Sequence, residues 1–526
     1  MNRTKYNGRF SQPENAAMPT NEPGTIGNAV TQAWINLRRH RYDVGMKGCL
    51  VTRTTTATIV ATDKIGSIER HGIDPIPITE RHGSAFELFK LWIGANVNYV
   101  VIVTGAFALS VGVTFLQAMI AIIIGNLVGC VMVGLTSIQG PKTGTSGMMT
   151  SRVSFGQLGS VLPKIVNVIS ALSWFSINSI VATQALEELF HLAGFAGAGA
   201  EWVALALVLA AEIAIAVYGH ATIIAAESVI AVILAVLFLG LAYFVMPHVS
   251  AHDLLTFNQH QGTFSTWLIA LGIIVSYPIG WTNFASDYSR YFPPSLSWKQ
   301  IALAAGLGQF VALSLCEMVG VVFAIAVGGS LGNDPVSQLG HFMPTWFVVP
   351  LLAAVIFGGI AANVPNGYTA SLGLLALRLP LSRVASLAVI TVFTIGVRVA
   401  VVYSGDFFNV YQNFLNYMVF WTGPWAAIVI VDYFMRKGRY DSADIMKWRA
   451  GRYWYRHGIF WPGLVAFAAG IILSLVFSNS ETFASPFMTN VLGWGDLSFE
   501  AGILSAGLIY WALARRTMPE TVSERP

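Results

Sequence analysis

The chain has 526 residues, of which 55% are hydrophobic and only 11% are Asp, Glu, Lys or Arg. A soluble domain carries roughly 25% charged residues, so too little charge is present to cover the exterior that a soluble chain of this length would need. With a mean hydropathy of +0.63, disorder, a disulfide scaffold and a soluble enzyme are excluded, and a polytopic membrane protein remains.

In chain order, residues 1–84 are polar and lack the early apolar core of a cleavable signal. They are expected to form a cytoplasmic N-terminal segment, disordered at its start. A membrane span needs about 20 apolar residues. On that scale twelve spans are predicted, at about 86–109, 113–135, 161–190, 202–218, 222–246, 264–286, 301–328, 346–376, 383–403, 406–434, 458–478 and 498–514. They are numbered 1 to 12 below. Alternate loops and both tails hold the basic residues, including Arg81, Lys142, Arg152, Arg290, Lys299, Arg436 and Arg515. The intervening loops near 191–201, 247–263, 329–345 and 479–497 contain no Lys or Arg. That asymmetry predicts cytoplasmic termini and accounts for the net charge of +4 without nucleic acid. Cys49, Cys130 and Cys316 are too scattered for a disulfide or zinc framework.

Span 1 is interrupted by Gly94-Ala95-Asn96-Val97-Asn98, and span 6 by Pro278-Ile279-Gly280. Opened backbone in a bilayer is tolerated only where it lines a cavity or is buried in protein. Matching breaks in the first span of each of two five-span halves predict an inverted-repeat transporter with a mid-membrane site; ordinary kinks are the alternative. The expected organisation is a ten-helix core at 85–435, with repeats at about 85–246 and 264–435. A basic cytoplasmic loop at 436–457, peripheral spans 11 and 12 within 458–514, and a tail at 515–526 follow.

The polar residues left within the spans are the candidate site. Trp174 and Asn178 on span 3 are four apart and share a helical face. An indole beside a carboxamide suits a flat, amide-bearing ring, although a packing Trp and an interhelical Asn bond would give the same pattern. Span 8 carries Asn363-Val364-Pro365-Asn366, with Asn363 the better ligand. Glu212, Glu227 and Glu317 lie inside spans 4, 5 and 7, where a carboxyl is costly and therefore a functional candidate. Asp287 and Asp432 sit at cytoplasmic helix ends, as gate or anchoring residues, and Arg398 is expected to reach outward or pair with Asp406. Neither an ATP-binding loop nor a His-Glu-x-x-His or Cys-x-x-Cys motif occurs. No enzyme, cofactor or metal is expected, and uphill transport would need an ion gradient.

Several motifs in order resemble those of purine–cytosine permeases in the nucleobase–cation symporter family. They are Ile68-Glu69-Arg70-His71-Gly72-Ile73-Asp74-Pro75-Ile76-Pro77, Trp92-x-Gly94-Ala95-Asn96, Gly140-Pro141-Lys142-Thr143-Gly144, Ser151-Arg152-Val153-Ser154-Phe155-Gly156, Asp287-Tyr288-Ser289-Arg290-Tyr291, Asn363-Val364-Pro365-Asn366-Gly367-Tyr368 and Asp432-Tyr433-Phe434. The resemblance implies a leucine-transporter-type fold, all α, with two five-helix inverted repeats and two peripheral helices. It implies a substrate between spans 1, 3, 6 and 8. Trp174 and Tyr277, or else Trp281, would sandwich the ring; Asn178 and Asn363 would read its polar edge, with Asn98 and Gly94 nearby. Asp287 and Arg290 would serve a cytoplasmic gate. Sodium-coupled members carry hydroxyls six and five residues before the span-8 Asn, where this chain has Phe357 and Gly358. Proton rather than sodium coupling is therefore expected, with Glu227 ahead of Glu212 as carrier. The expected cargo is cytosine or purines. Hydantoin, allantoin, uracil, thiamine or pyridoxine, or a non-transporting membrane sensor, remain the alternatives.

Overall fold

The computed structural model describes residues 72–518 except 196, 198, 217–219, 378–382, 406 and 481–482, and omits the side chains of 215–216, 220–228, 383–384, 386–387 and 403. Residues 1–71, with Cys49 and Ile68 to His71, and Asp406 thus lie outside the described residues, as does the side chain of Glu227. Every predicted span is helical. Span 1 is a pair, Ala85–Asn96 and Tyr99–Ser110. Spans 2 to 5 are Phe115–Ser137, Val161–Leu192, Ala200–Ala216 and His220–Val245. Span 6 is Phe264–Gly280, continued after a turn by Ala285–Ser289. Spans 7 to 10 are Trp298–Ala326, Thr345–Ala376, Arg383–Ser404 and Phe407–Met435; spans 11 and 12 are Trp461–Val476 and Ser498–Thr517. Among the described residues seven helices are long and apolar enough to cross a membrane, and the bent span-1 pair makes an eighth. The protein is therefore a multi-pass membrane protein.

Hydroxyl and amide caps set the helix starts. Thr114 with Gln117, Thr263 with Thr266 and Ser297 with Gln300 form reciprocal capping boxes opening spans 2, 6 and 7. Glycine sets how closely spans 1 and 7 approach. A side chain at Gly105 would run into the Glu317 carbonyl, and one at Gly320 into that of Ile102.

The packing repeats under a shift of five spans. Span 1 lies on span 7 and span 6 on span 2; span 4 lies on 8 and span 9 on 3; span 5 lies on 1 and span 10 on 6. The pairs 3–8, 2–7 and 1–6 map onto themselves. A five-span unit crosses the membrane an odd number of times, so its second copy starts from the opposite face, and the repeat is inverted. Spans 11 and 12 pack on each other and on span 10, outside this symmetric set. Two charged groups fix the periphery. Arg398 of span 9 pairs with Glu201 of span 4 at 2.8 Å. Asp432 accepts from Arg436 at 2.8 Å and from Tyr510 of span 12 at 2.5 Å, and so anchors spans 10 and 12 together.

Candidate functional site

The first half of span 1 stops at Asn96, and the second half leaves at an angle of 66°. Asn98 caps the second half, its Oδ1 accepting the Val100 N–H at 3.0 Å. Its Nδ2 donates across to Asn178 Oδ1 on span 3 at 3.3 Å, and Asn178 Nδ2 donates to the Trp174 carbonyl at 3.0 Å. Asn98 and Asn178 are 5% and 3% exposed. Two carboxamides offer four N–H groups and about four acceptor lone pairs. These bonds use two of each, so donors and acceptors remain for a polar-edged ring.

Trp174, one turn from Asn178, forms the apolar wall. It meets Tyr277 of span 6 with centroids 4.9 Å apart and Phe414 of span 10 at 5.0 Å, at interplanar angles of 69° and 88°. Tyr411 of span 10 adds a third ring at 6.2 Å and bonds through its hydroxyl to Thr104 of span 1 at 2.8 Å. The expected sandwich requires these two rings to part. Trp174 and Tyr277 touch edge to face, the geometry ring quadrupoles favour in direct contact, and a stacked base would have to displace Tyr277. Trp281 hydrogen-bonds to Tyr277 and stands edge-on to Trp92 at 5.7 Å and to Phe284 at 5.8 Å. Hydropathy gave no sign of Tyr411 and Phe414; their spacing of three within an aromatic-rich span was the available signal.

Asn363 is also placed differently from expectation. Its Nδ2 donates to the Phe175 carbonyl at 2.8 Å, to Ser179 Oγ at 2.9 Å and to Glu212 Oε1 at 2.7 Å. Ser179 Oγ lies 2.8 Å from the other Glu212 oxygen. The amide therefore faces spans 3 and 4 rather than the Asn98–Asn178 pair. Asn178 and Ser179 are consecutive on span 3 and look to adjoining faces, so the two polar clusters are neighbours. Glu212 is 1% exposed, and its hydrogen bonds come from neutral groups. An uncompensated carboxylate is costly at such a place, and taking up and releasing a proton is the chemistry it offers. Glu317 of span 7 is likewise buried, at 0% exposed, and accepts from a neutral group, Asn126 of span 2, at 2.6 Å.

Gly94 and Asn98 line a narrow cleft against span 5 at Ile230 and Leu234 and span 8 at Gly358 and Ala362. Among the described residues that line it, Asn98 supplies the only polar side chain. Phe357 is 60% exposed and turned away.

Asp287 and Arg290 close the end of the bundle that carries the basic loops. Asp287 accepts from the Gly147 N–H at 3.0 Å and the Thr369 hydroxyl at 3.1 Å. Arg290 donates to the Gly72 carbonyl at 2.8 Å and to the hydroxyls of Tyr291 and Tyr368. Arg81 and His82 bind the segment before span 1 to Pro141 and Tyr291. At the opposite end Tyr99 donates to the Pro335 carbonyl at 2.6 Å, and Gln184 to that of Asn333 at 3.2 Å. Arg290→Ala removes several charge-assisted bonds, each worth about 1.5–3 kcal/mol. It is expected to raise thiol-reagent labelling of a Gly94→Cys reporter from the basic face by about tenfold or more. Unchanged labelling would show that Arg290 only packs.

Comparison with known proteins completes the description. Residues 75–499 match a family model described as permease for cytosine/purines, uracil, thiamine, allantoin. The putative purine-cytosine permease YxlA of Bacillus subtilis is 25% identical, over 85% of this chain and 96% of its own. The purine-cytosine permease fcyB of Emericella nidulans is 26% identical, over 85% and 88%. Among solved structures, Mhp1, a nucleobase-cation-symport-1 family transporter, in a closed conformation with bromovinylhydantoin bound, superposes with a TM-score of 0.70. It is 19% identical and covers 87% of this chain and 98% of that one. That likeness shows the fold.

Proposed function

The chain belongs to the family of permeases for cytosine/purines, uracil, thiamine and allantoin, and from that premise we propose that it imports cytosine or purines by proton symport through alternating access. The observation that carries the substrate class is the joint placement of Trp174, Tyr277 and Phe414 beside the incompletely bonded Asn98–Asn178 pair. Aromatic faces hold a flat ring of any sequence of atoms, while carboxamides select one with both donors and acceptors on its edge. Asn363 acts in this reading through Glu212 rather than on the base.

Proton coupling is supported by two features. Glu212 is buried, hydrogen-bonded to span 8 through Asn363 and to span 3 through Ser179, so its protonation is tied to elements that flank the site. Among the described residues that line the cleft between spans 1, 5 and 8 there is no hydroxyl or carboxylate side chain, whereas a hard cation needs several oxygen ligands. With the positive-inside asymmetry, the basic face is cytoplasmic, both termini lie on it, and the membrane is the plasma or inner membrane. The core is residues 85–435, and 458–514 form the periphery.

A competition panel tests the substrate class. Unlabelled cytosine, adenine, guanine and hypoxanthine are expected to suppress uptake of labelled cytosine or adenine, and allantoin, hydantoin, uracil, thiamine and pyridoxine to leave most of it. Suppression by one of the second set alone would move the assignment to that heterocycle. The family description, which includes uracil, thiamine and allantoin, makes that the second reading.

A further inference from the structure

We propose that spans 2 and 7 form a binding site for one anionic phospholipid, with an acyl chain in the groove between them and the phosphate at Lys142 and Lys299. The groove has a volume of about 430 Å³. Its floor exists because the two helices cross on small residues: a side chain at Gly134 would strike the Ala302 carbonyl, and a Cβ at Gly306 would lie 2.9 Å from that of Cys130. Bulky residues rise on either side, among them Leu127 and Val131 on span 2 and Leu303 and Leu307 on span 7, all 49–60% exposed. On a lipid-facing surface such residues are ordinary. The trough between them, closed beneath by backbone, is not.

Its length and its ends indicate the occupant. From Leu127 to Leu135 span 2 rises about 12 Å, and from Lys299 to Phe310 span 7 rises about 16 Å, at 1.5 Å per residue. One leaflet of a hydrocarbon core about 30 Å thick is about 15 Å deep. The groove thus runs from the basic face to the bilayer midplane, the reach of a single acyl chain. At its mouth Trp298 lines the wall and packs edge-on to Phe434 at 5.6 Å, an arrangement suited to the headgroup boundary. Lys299 lies beside it, and Lys142, at the end of the short helix after span 2, holds the Pro294 carbonyl at 3.2 Å, four residues before Trp298. Both lysines are exposed and complement a phosphate that carries no compensating headgroup cation. A second copy of the chain would meet these lysines with the same lysines if it docked symmetrically through this face.

The position gives the lipid a mechanical role. On its other side span 2 presents Gly125 and Gly129, against which Ile274 and Pro278 of the broken span 6 rest. An occupied groove therefore stiffens the support of a moving element.

Native mass spectrometry of the full-length protein in micelles containing equal dioleoyl-phosphatidylglycerol and dioleoyl-phosphatidylcholine tests this. One phosphatidylglycerol is expected to be retained per chain, preferred about thirtyfold given two basic residues at the surface. The preference should fall with added salt in the wild type. The double variant Lys142→Glu/Lys299→Glu should lose it, and Val131→Trp, which fills the groove, should lose the tightly held lipid. Equal retention of the two lipids by the wild type, or an unaltered preference in the double variant, would overturn the proposal. So would a protein dimer that Val131→Trp dissolves. The wild-type preference and its salt dependence decide the matter even if a variant does not fold.

Discussion

Glu212→Gln is expected to abolish accumulation of base against its gradient while sparing exchange of base for base. Glutamine keeps an acceptor oxygen for Asn363 and Ser179, the two side chains that meet Glu212 at 2.7 and 2.8 Å, but it cannot release a proton. A membrane potential of 100 mV is worth about 2.3 kcal/mol per proton, or roughly 50-fold accumulation. In proteoliposomes that ratio should fall to about one in the variant, with labelled base still exchanging at a rate near wild type. Asn363→Ala is expected to impair both processes, because it leaves a buried carboxyl without its amide donor and breaks the tie between spans 3 and 8 at the Phe175 carbonyl. Accumulation by Glu212→Gln at the wild-type level would remove Glu212 from the coupling path.

Trp174→Ala should weaken base binding by about 5- to 150-fold, since aromatic stacking on a nucleobase is worth about 1–3 kcal/mol. Equilibrium binding to purified protein is the better readout than uptake, because Trp174 also supports Tyr277 and Phe414. Trp174→Phe should recover part of the loss. Trp281→Phe is the informative contrast. Trp281 packs on Trp92 and Phe284 and hydrogen-bonds to Tyr277, so the change keeps a ring in place but loses that bond and should weaken binding by about 2- to 12-fold, less than Trp174→Ala. A larger effect at Trp281 than at Trp174 would reverse the roles given to them.

Much of this was legible in the sequence because the bilayer imposes strong local rules. Apolar length locates spans, and Asn96 and Asn98 at mid-span announce a break that Asn98 then caps with its own side chain. The four-residue spacing of Trp174 and Asn178 survives intact as one helical face. What was not legible depends on neighbours distant in the chain. Asn363 meets Glu212 across 151 residues and Phe175 across 188. No local pattern shows that its donors are already committed. Likewise, Trp174 and Tyr277 could be named as site residues, but whether they face each other flat or edge-on is decided by Tyr411 and Phe414 crowding from span 10. The inverted repeat left no residue-level similarity that could be recognised. It is preserved in which spans touch, such as 4 on 8 and 9 on 3, a constraint many side chains satisfy.

Coupling is the centre of the account, and proton flow measured directly is its sharpest test. Proteoliposomes containing the protein, in sodium-free medium of low buffering capacity, are given cytosine or adenine while external pH is followed. The base alone is expected to raise external pH, replacing potassium with sodium to change nothing, and Glu212→Gln to abolish the signal. Base uptake that requires sodium and moves no protons would contradict proton coupling.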